Sequence, residues 1–314
     1  MLEGVIVKST GSWYQVSLPD GKKYECRILG KFRLHGKKLT NPVAVGDQVK
    51  IILEADHKGL IKEILPRQNY VVRQSPRKKH FLHLVASNID QAVLFMTIVQ
   101  PNLKQGFIDR FLLMMEPHNI PTTIVFSKAD VYDEEALLMF EYLKAVYESI
   151  GYQVLLTSTV TKQGVEELRT ILKDKITLIS GQSGVGKSTM VNALQPNLHL
   201  KTEEISDYSG KGQHTTTFAE MHTLDFGGYV IDTPGIKTLA FTNLEPMDVS
   251  HNFREFFILS KNCKFHDCSH RQEPKCAVKD ALEEGAISEL RYANYLKILN
   301  EIEDQNYWER HKDM

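Results

Sequence analysis

The sequence predicts three domains: an N-terminal OB-fold β-barrel, a central doubly wound α/β domain built on a phosphate loop, and a C-terminal helical domain stapled by zinc. Three observations predict them. Five short alternating runs fill residues 1–66. From residue 90, buried apolar runs alternate with segments of helical period, and one run leads into a glycine-rich loop. Beyond residue 245, three cysteines and a histidine crowd together ahead of a long helical pattern. The expected divisions are 1–66 for the barrel, 67–83 for a basic linker, 84–244 for the α/β domain and 245–314 for the zinc domain.

The barrel runs span 4–8, 13–18, 23–29, 47–53 and 59–65, separated by turns rich in Gly, Asp, Asn and Pro. Five strands in so few residues suit a small closed barrel. The OB-fold is the commonest of that size, and an SH3-like barrel competes. Residues 1–80 hold 16 Lys and Arg against 7 Asp and Glu, although the whole chain has a net charge of −1. A polyanion such as RNA accounts for that excess, and a solvated basic face accounts for it as well. The linker, from Arg67 to His80 and containing Pro76, extends the basic footprint or serves as an exposed tether.

In the central domain, Ala92 to Val99 and Thr122 to Phe126 read as strands buried on both faces. Helices are expected over 105–117, 134–150 (stopped at Gly151) and 164–174, with further strands over 152–156, 176–180 and 227–231. Ligand loops of such a sheet lie at the carboxyl ends of its strands.

One of those ends carries Gly181, Gln182, Ser183, Gly184, Val185, Gly186, Lys187 and Ser188, the full phosphate-loop spacing, followed by Thr189. Its backbone N–H groups would converge on phosphate oxygens, Lys187 would reach the β- and γ-phosphates, and Ser188 would ligate Mg²⁺. Another end carries Ser127, Lys128, Ala129 and Asp130. The Asp130 carboxylate can accept from both the ring N–H and the 2-amino group of guanine, whereas adenine would leave it unpaired. Lys128 would pack along the base, and Thr157, Ser158 and Thr159 could approach the guanine carbonyl oxygen. A third end carries Asp232 and Gly235, which would hold Mg²⁺ through water and meet the γ-phosphate. The polar loop before it supplies the switch threonine, Thr216 in preference to Thr215, with Thr216 also on Mg²⁺. The position after Gly235, where Ras-like GTPases place a water-orienting Gln, is Ile236. His214 is the candidate to position water instead.

The base-reading motif precedes the other two, the reverse of the ordinary order, so the domain reads as a circularly permuted P-loop GTPase domain. Permutation leads the switch segment directly into the C-terminal domain, through which nucleotide state could be transmitted mechanically.

Cys263, Cys268, His270 and Cys276 suit a closed tetrahedral Zn²⁺ site with a folding role, one per chain; the spacing leaves His266 as an alternative ligand. Cys26 is expected in the barrel core. Four cysteines are too few for a disulfide scaffold. No apolar run reaches the roughly 18–20 residues that span a bilayer, and the first residues lack a leader pattern. A cytoplasmic monomer is expected, with no membrane partner.

The permuted order, the basic barrel, the Cys-x4-Cys-x-His-x5-Cys cluster, residues 87–91 and the His214–Thr217 switch together resemble the RsgA family of small ribosomal subunit biogenesis GTPases over the whole chain. The resemblance implies late maturation of the small subunit, binding to its rRNA, GTP hydrolysis stimulated by that subunit, and zinc in the C-terminal domain. The alarmone ppGpp, which shares guanine and the β-phosphate, could take the same site. Two positions depart from the pattern: Ser127 stands where many GTPases have Asn, which should weaken one loop contact, and Gln213 where members often carry a basic residue.

Overall fold

The computed structural model describes residues 1–10, 12–29, 41–74, 82–198, 219–232 and 244–310. The first five strands are β1 (Leu2–Ser9), β2 (Tyr14–Ser17), β3 (Lys23–Ile28), β4 (Gln48–Leu53) and β5 (Lys58–Ile64). They close in the order β1-β2-β3-β5-β4-β1, with β3 and β5 the one parallel pair in the ring. That closure is the OB arrangement, and it decides against the SH3-like alternative. Alternate residues point inward, so Ile6, Val16, Val49, Ile51 and Ile61 fill the barrel beside Tyr14. Cys26 joins this core, and burial pushes its thiol up to about 12, so it behaves as a small hydrophobe.

The central sheet uses β8 (Gln91–Met96), β9 (Thr122–Phe126), β10 (Gln153–Leu156), β11 (Ile176–Gly181), β12 (Glu220–Thr223) and β13 (Tyr229–Asp232). Its order is β10-β9-β8-β11-β13-β12, parallel except for β12. Helices α1 (Gly106–Met115) and α2 (Glu134–Ser149) cover one face. Helices α3 (Val165–Leu172) and α4 (Lys187–Leu194) cover the other. Every residue of β8 and β9 is buried, which is why these strands read as unbroken apolar runs.

The barrel continues this sheet. β1 pairs with β12 at Lys8 and Glu220, whose side chains meet at 2.9 Å. The segment 67–83, expected to be a linker, holds a strand instead: β6 (Tyr70–Gln74) pairs antiparallel with β7 (Leu82–Ser87). Its first basic residue faces protein, not solvent. The Arg67 guanidinium donates from Nε and Nη2 to the two oxygens of buried Asp47, both at 2.7 Å. Asp47 also accepts from Ser87 Oγ at 2.6 Å and from the Ala44 amide at 2.9 Å. Charge counting credited Arg67 to a polyanion footprint, but here it neutralises a carboxylate that joins the barrel to β7.

The C-terminal domain consists of α5 (Pro246–His251), α6 (Arg254–Ser260), α7 (Ala277–Glu283) and α8 (Glu289–Arg310). A second buried charge cluster joins it to the central domain. Arg291, on α8, donates to Asp109 of α1 at 2.6 Å and to both oxygens of Glu255 on α6 at 2.8 and 2.9 Å. Asp109 also accepts from Tyr147 Oη at 2.8 Å and Asn294 Nδ2 at 2.5 Å. Nearby, Arg254 pairs with Glu116 at 2.9 Å and lies 3.9 Å over the Tyr152 ring.

Removing one member of a buried, hydrogen-bonded ion cluster strands the remaining charges. Arg291→Met should destabilise the protein by about 3–5 kcal/mol, read as a lowered denaturant midpoint. A midpoint equal to wild type would remove the cluster from this structural role.

Candidate nucleotide site and metal centre

β9 and β11 end at the same edge of the sheet, separated only by β8, so the base-reading turn and the phosphate loop meet there. β11 runs into the loop and α4 begins at Lys187. At Gly181, φ is +147° and an added Cβ would lie 2.2 Å from the Phe95 carbonyl oxygen, so no side chain fits. Gly186, at φ +86°, turns the chain into α4. Between them Val185 is buried and anchors the loop, while Gln182, Ser183 and Gly184 form its rim. Lys187 Nζ donates to the carbonyl oxygens of Gly181 and Gln182 at 3.0 and 2.7 Å. Ser188 is half-buried at the first turn of α4, and Thr189 is exposed beside it.

Ser127, expected to brace the loop less well than Asn, is buried, and its hydroxyl lies 2.5 Å from the Val185 carbonyl oxygen and 3.0 Å from that of Met96. The bracing contact is therefore kept, made by a shorter side chain. Lys128 takes a left-handed backbone at φ +63° and places its stem beside Gly186. Its Nζ donates to the Gln100 carbonyl oxygen at 2.7 Å. Burial lowers the Lys128 ammonium, and Asp130 opposes that shift.

Asp130 is exposed at the mouth and accepts from the Ser158 hydroxyl. Ser158 Oγ also accepts from the amides of Val160 and Thr161 at 3.1 and 3.2 Å. Thr157 is buried, and its carbonyl accepts the Ala129 amide at 3.0 Å. Sequence reasoning grouped residues 157–159 around the base. The structure gives Ser158 to Asp130 and Thr157 to the backbone of the turn, and leaves Thr159 half-buried at the rim.

Asp232 ends β13 beside Ile179 of β11. Burial raises its carboxyl above the usual range, and Lys187 and His222 pull it back. A half-buried carboxylate beside the phosphate loop, its charge disfavoured by its surroundings, fits a divalent cation. His214, Thr215, Thr216, Gly235 and Ile236 lie outside the described residues. Sequence reasoning missed Gln100 and Tyr132, whose roles depend on a loop conformation that no motif encodes.

In the C-terminal domain, Cys263, Cys268, His270 and Cys276 bring one ligand atom each to within 4.8 Å of the others. The Cys263 and Cys276 sulfurs are 4.0 Å apart, and His270 Nδ1 lies 3.8 and 3.4 Å from them. Tetrahedral Zn²⁺ with Zn–S of about 2.3 Å and Zn–N of about 2.0–2.1 Å requires edges of about 3.8 Å for sulfur–sulfur and about 3.6 Å for sulfur–nitrogen. The four residues fit. His266 is exposed and stands outside the cluster, which resolves the alternative in favour of His270. The loop is braced by Glu273, which accepts from Ser269 N and Oγ, both at 2.6 Å, and from the Arg271 amide at 2.9 Å. Burial alone would raise the Glu273 carboxyl, but these hydrogen bonds outweigh it and bring it down to about 2.

A phosphate loop and a guanine-type turn on one sheet edge, reached in reversed chain order, define the class as a circularly permuted P-loop GTPase. Comparison with known proteins narrows this. Residues 3–61 match the RsgA N-terminal domain and 64–242 the RsgA GTPase. The chain is 50% identical over 309 residues to the small ribosomal subunit biogenesis GTPase RsgA of Flavobacterium psychrophilum, covering 98% of this chain and 94% of that protein. Among solved structures, YjeQ from Thermotoga maritima matches with a TM-score of 0.78 at 36% identity, over 96% of this chain and 98% of that one. YloQ, a circularly permuted GTPase, matches with a TM-score of 0.72 at 33% identity, over 97% and 96%. The chain belongs to the RsgA family.

Burial pushes the metal-free Cys268 thiol up to about 12, so protons compete strongly with metal for this cluster. Elemental analysis should find about one zinc per chain, retention should weaken as pH falls, and Cys276→Ser should release the metal and lower the melting temperature. Full zinc occupancy in that variant would sink the four-ligand assignment.

Proposed function

We propose that this chain hydrolyses GTP to GDP and phosphate while acting in late maturation of the small ribosomal subunit, binding that subunit through its rRNA. The observation that carries the reading is Asp130 at the end of β9, held by Ser158 and adjoining a complete phosphate loop. The family of the chain, with a relative named as a small ribosomal subunit biogenesis GTPase, supports the same conclusion. The basic N-terminal region supplies the polyanion contact. The ribosomal role sets the cytoplasm as the place of action.

In this reading the amides of residues 181–186 cradle the phosphates, and Lys187 exchanges its two carbonyl partners for phosphate oxygens. Mg²⁺ supplies charge neutralisation on the phosphates, and Ser188, Asp232 and Thr216 are the residues that would hold it. Lys128 covers the base and Asp130 reads its edge. With Ser158 committed to Asp130, the backbone N–H of Thr159 is the group left for the guanine carbonyl oxygen. Zn²⁺, bound by Cys263, Cys268, His270 and Cys276, fixes the C-terminal fold.

Asp130→Asn should weaken GDP binding by about tenfold or more, measured by calorimetry. An unchanged preference for guanine over adenine nucleotides would overturn the assignment. His214→Ala should lower turnover stimulated by small subunits while GTP affinity stays nearly the same. Equal turnover in the variant would take His214 out of the chemistry.

A further inference from the structure

The loop 97–105 touches the base site at its middle and the C-terminal domain at its end. It connects β8 to α1. At its start, Tyr132 Oη accepts from the Ile98 amide at 2.9 Å and lies 3.4 Å from Thr97 Oγ1, which itself donates to the Val99 carbonyl at 2.6 Å. The hydroxyl of Tyr132 therefore fixes the loop where it leaves the sheet. In the middle, Gln100 holds a left-handed backbone at φ +49° and presents its carbonyl to Lys128 Nζ. Pro101 rests against Gly184 of the phosphate loop. At the end, Gln105 donates to Tyr147 Oη at 2.8 Å and accepts from Asn294 Nδ2 on α8.

A left-handed conformation at a non-glycine residue persists only where its surroundings hold it. Here a backbone bond from Leu103 N to the Ile98 carbonyl at 3.0 Å closes the turn, and the side-chain restraints are Tyr132 at one end and Gln105, held by Tyr147, Asp109 and Asn294, at the other. Asn294 belongs to the same side-chain cluster as Arg291 and Asp109. We propose that Tyr132 and Asn294 are positioning residues for the guanine site: through loop 97–105 the C-terminal domain sets where Lys128 stands, and so tunes guanine-nucleotide affinity. The route runs through the base-side half of the domain, on a different element from the switch segment. Because coupling is reciprocal, nucleotide at Lys128 also biases the seating of α8.

The proposal rests on the assignment of Lys128 and Asp130 to the base, and the test separates the two. GDP, IDP (which lacks the 2-amino group) and ADP would be titrated calorimetrically, with Mg²⁺, into the zinc-loaded full chain and into Tyr132→Phe, Asn294→Ala and the double variant. Loss of Lys128 placement should weaken GDP and IDP by the same factor, about fivefold for each single variant. The GDP/IDP ratio, which reports Asp130, should stay fixed. The double variant should fall well short of the product of the singles, since both act on one loop. Unchanged affinities alongside lowered melting temperatures would overturn the coupling and leave these residues as architecture. A multiplicative double variant would overturn the shared route. Wild type preferring ADP to GDP would overturn the base-site assignment itself.

Discussion

The carboxylate of Asp109 governs how the C-terminal half of this molecule is assembled. It sits on the inward stripe of α1, among Ile108, Phe111 and Leu112, where an unpaired charge would be prohibitively costly. Gln105, just before α1, reaches it at 3.2 Å, but its closer donors come from other helices: Arg291 and Asn294 from α8, Tyr147 from α2. Arg291 in turn needs Glu255 of α6, since its guanidinium is equally buried. The folded state of α1 therefore requires α8 and α6 in one register. An apolar junction of the same area would tolerate sliding, but a fork-shaped guanidinium between two carboxylates does not.

Asp47 does the corresponding work at the other end. It is fully buried at the barrel edge and takes its donors from Arg67 and from Ser87 of β7. Together with the β1–β12 pairing, this makes barrel and central sheet one continuous hydrogen-bonded structure. A permuted GTPase domain has its neighbours attached at what would ordinarily be interior loops. Here both attachments are closed by buried carboxylates whose arginine partners lie across the boundary, so neither flanking domain is an appendage on a tether.

Much of this was legible in the sequence. The five barrel strands, the parallel strands of the central sheet, the phosphate loop, the base motif and the zinc ligands follow from local pattern, because period, turn chemistry and ligand spacing are local properties. What escaped was non-local. Arg67 counted as surface charge because only the fold brings Asp47 to it. β6 and β7 were missed because a two-stranded pair interrupted by a long basic stretch shows no clear alternation. Asp109 looks like an ordinary polar interruption of an amphipathic helix until α8 is placed against it. Spacing already favoured His270 and left His266 open, and the clustering of ligand atoms without His266 removes that alternative. Ser127 differs from Asn in motif terms yet makes the loop contact, because its strand ends close enough to Val185 for a short side chain to reach.

The two halves of the nucleotide site differ in their readiness, and the difference follows from their partners. On the base side, Asp130 is already held by Ser158 and Lys128 by Gln100, so in the proposed reading guanine would meet groups whose orientation is already set. On the phosphate side, Lys187 is bonded to two carbonyls of its own loop, and Asp232 carries a carboxyl raised by burial. Phosphate must therefore displace hydrogen bonds, and a cation must settle a carboxylate that burial disfavours. In that reading base recognition would be preorganised, whereas phosphate recognition would involve exchange. The diphosphate common to GDP and GTP would drive the Lys187 exchange, leaving the γ-phosphate to act on groups beyond this framework. In the proposed reading a nucleotide is selected by its base at the β9 end of the sheet, which the C-terminal domain packs against, while its phosphates engage the β11 and β13 side, which adjoins β12 and the barrel.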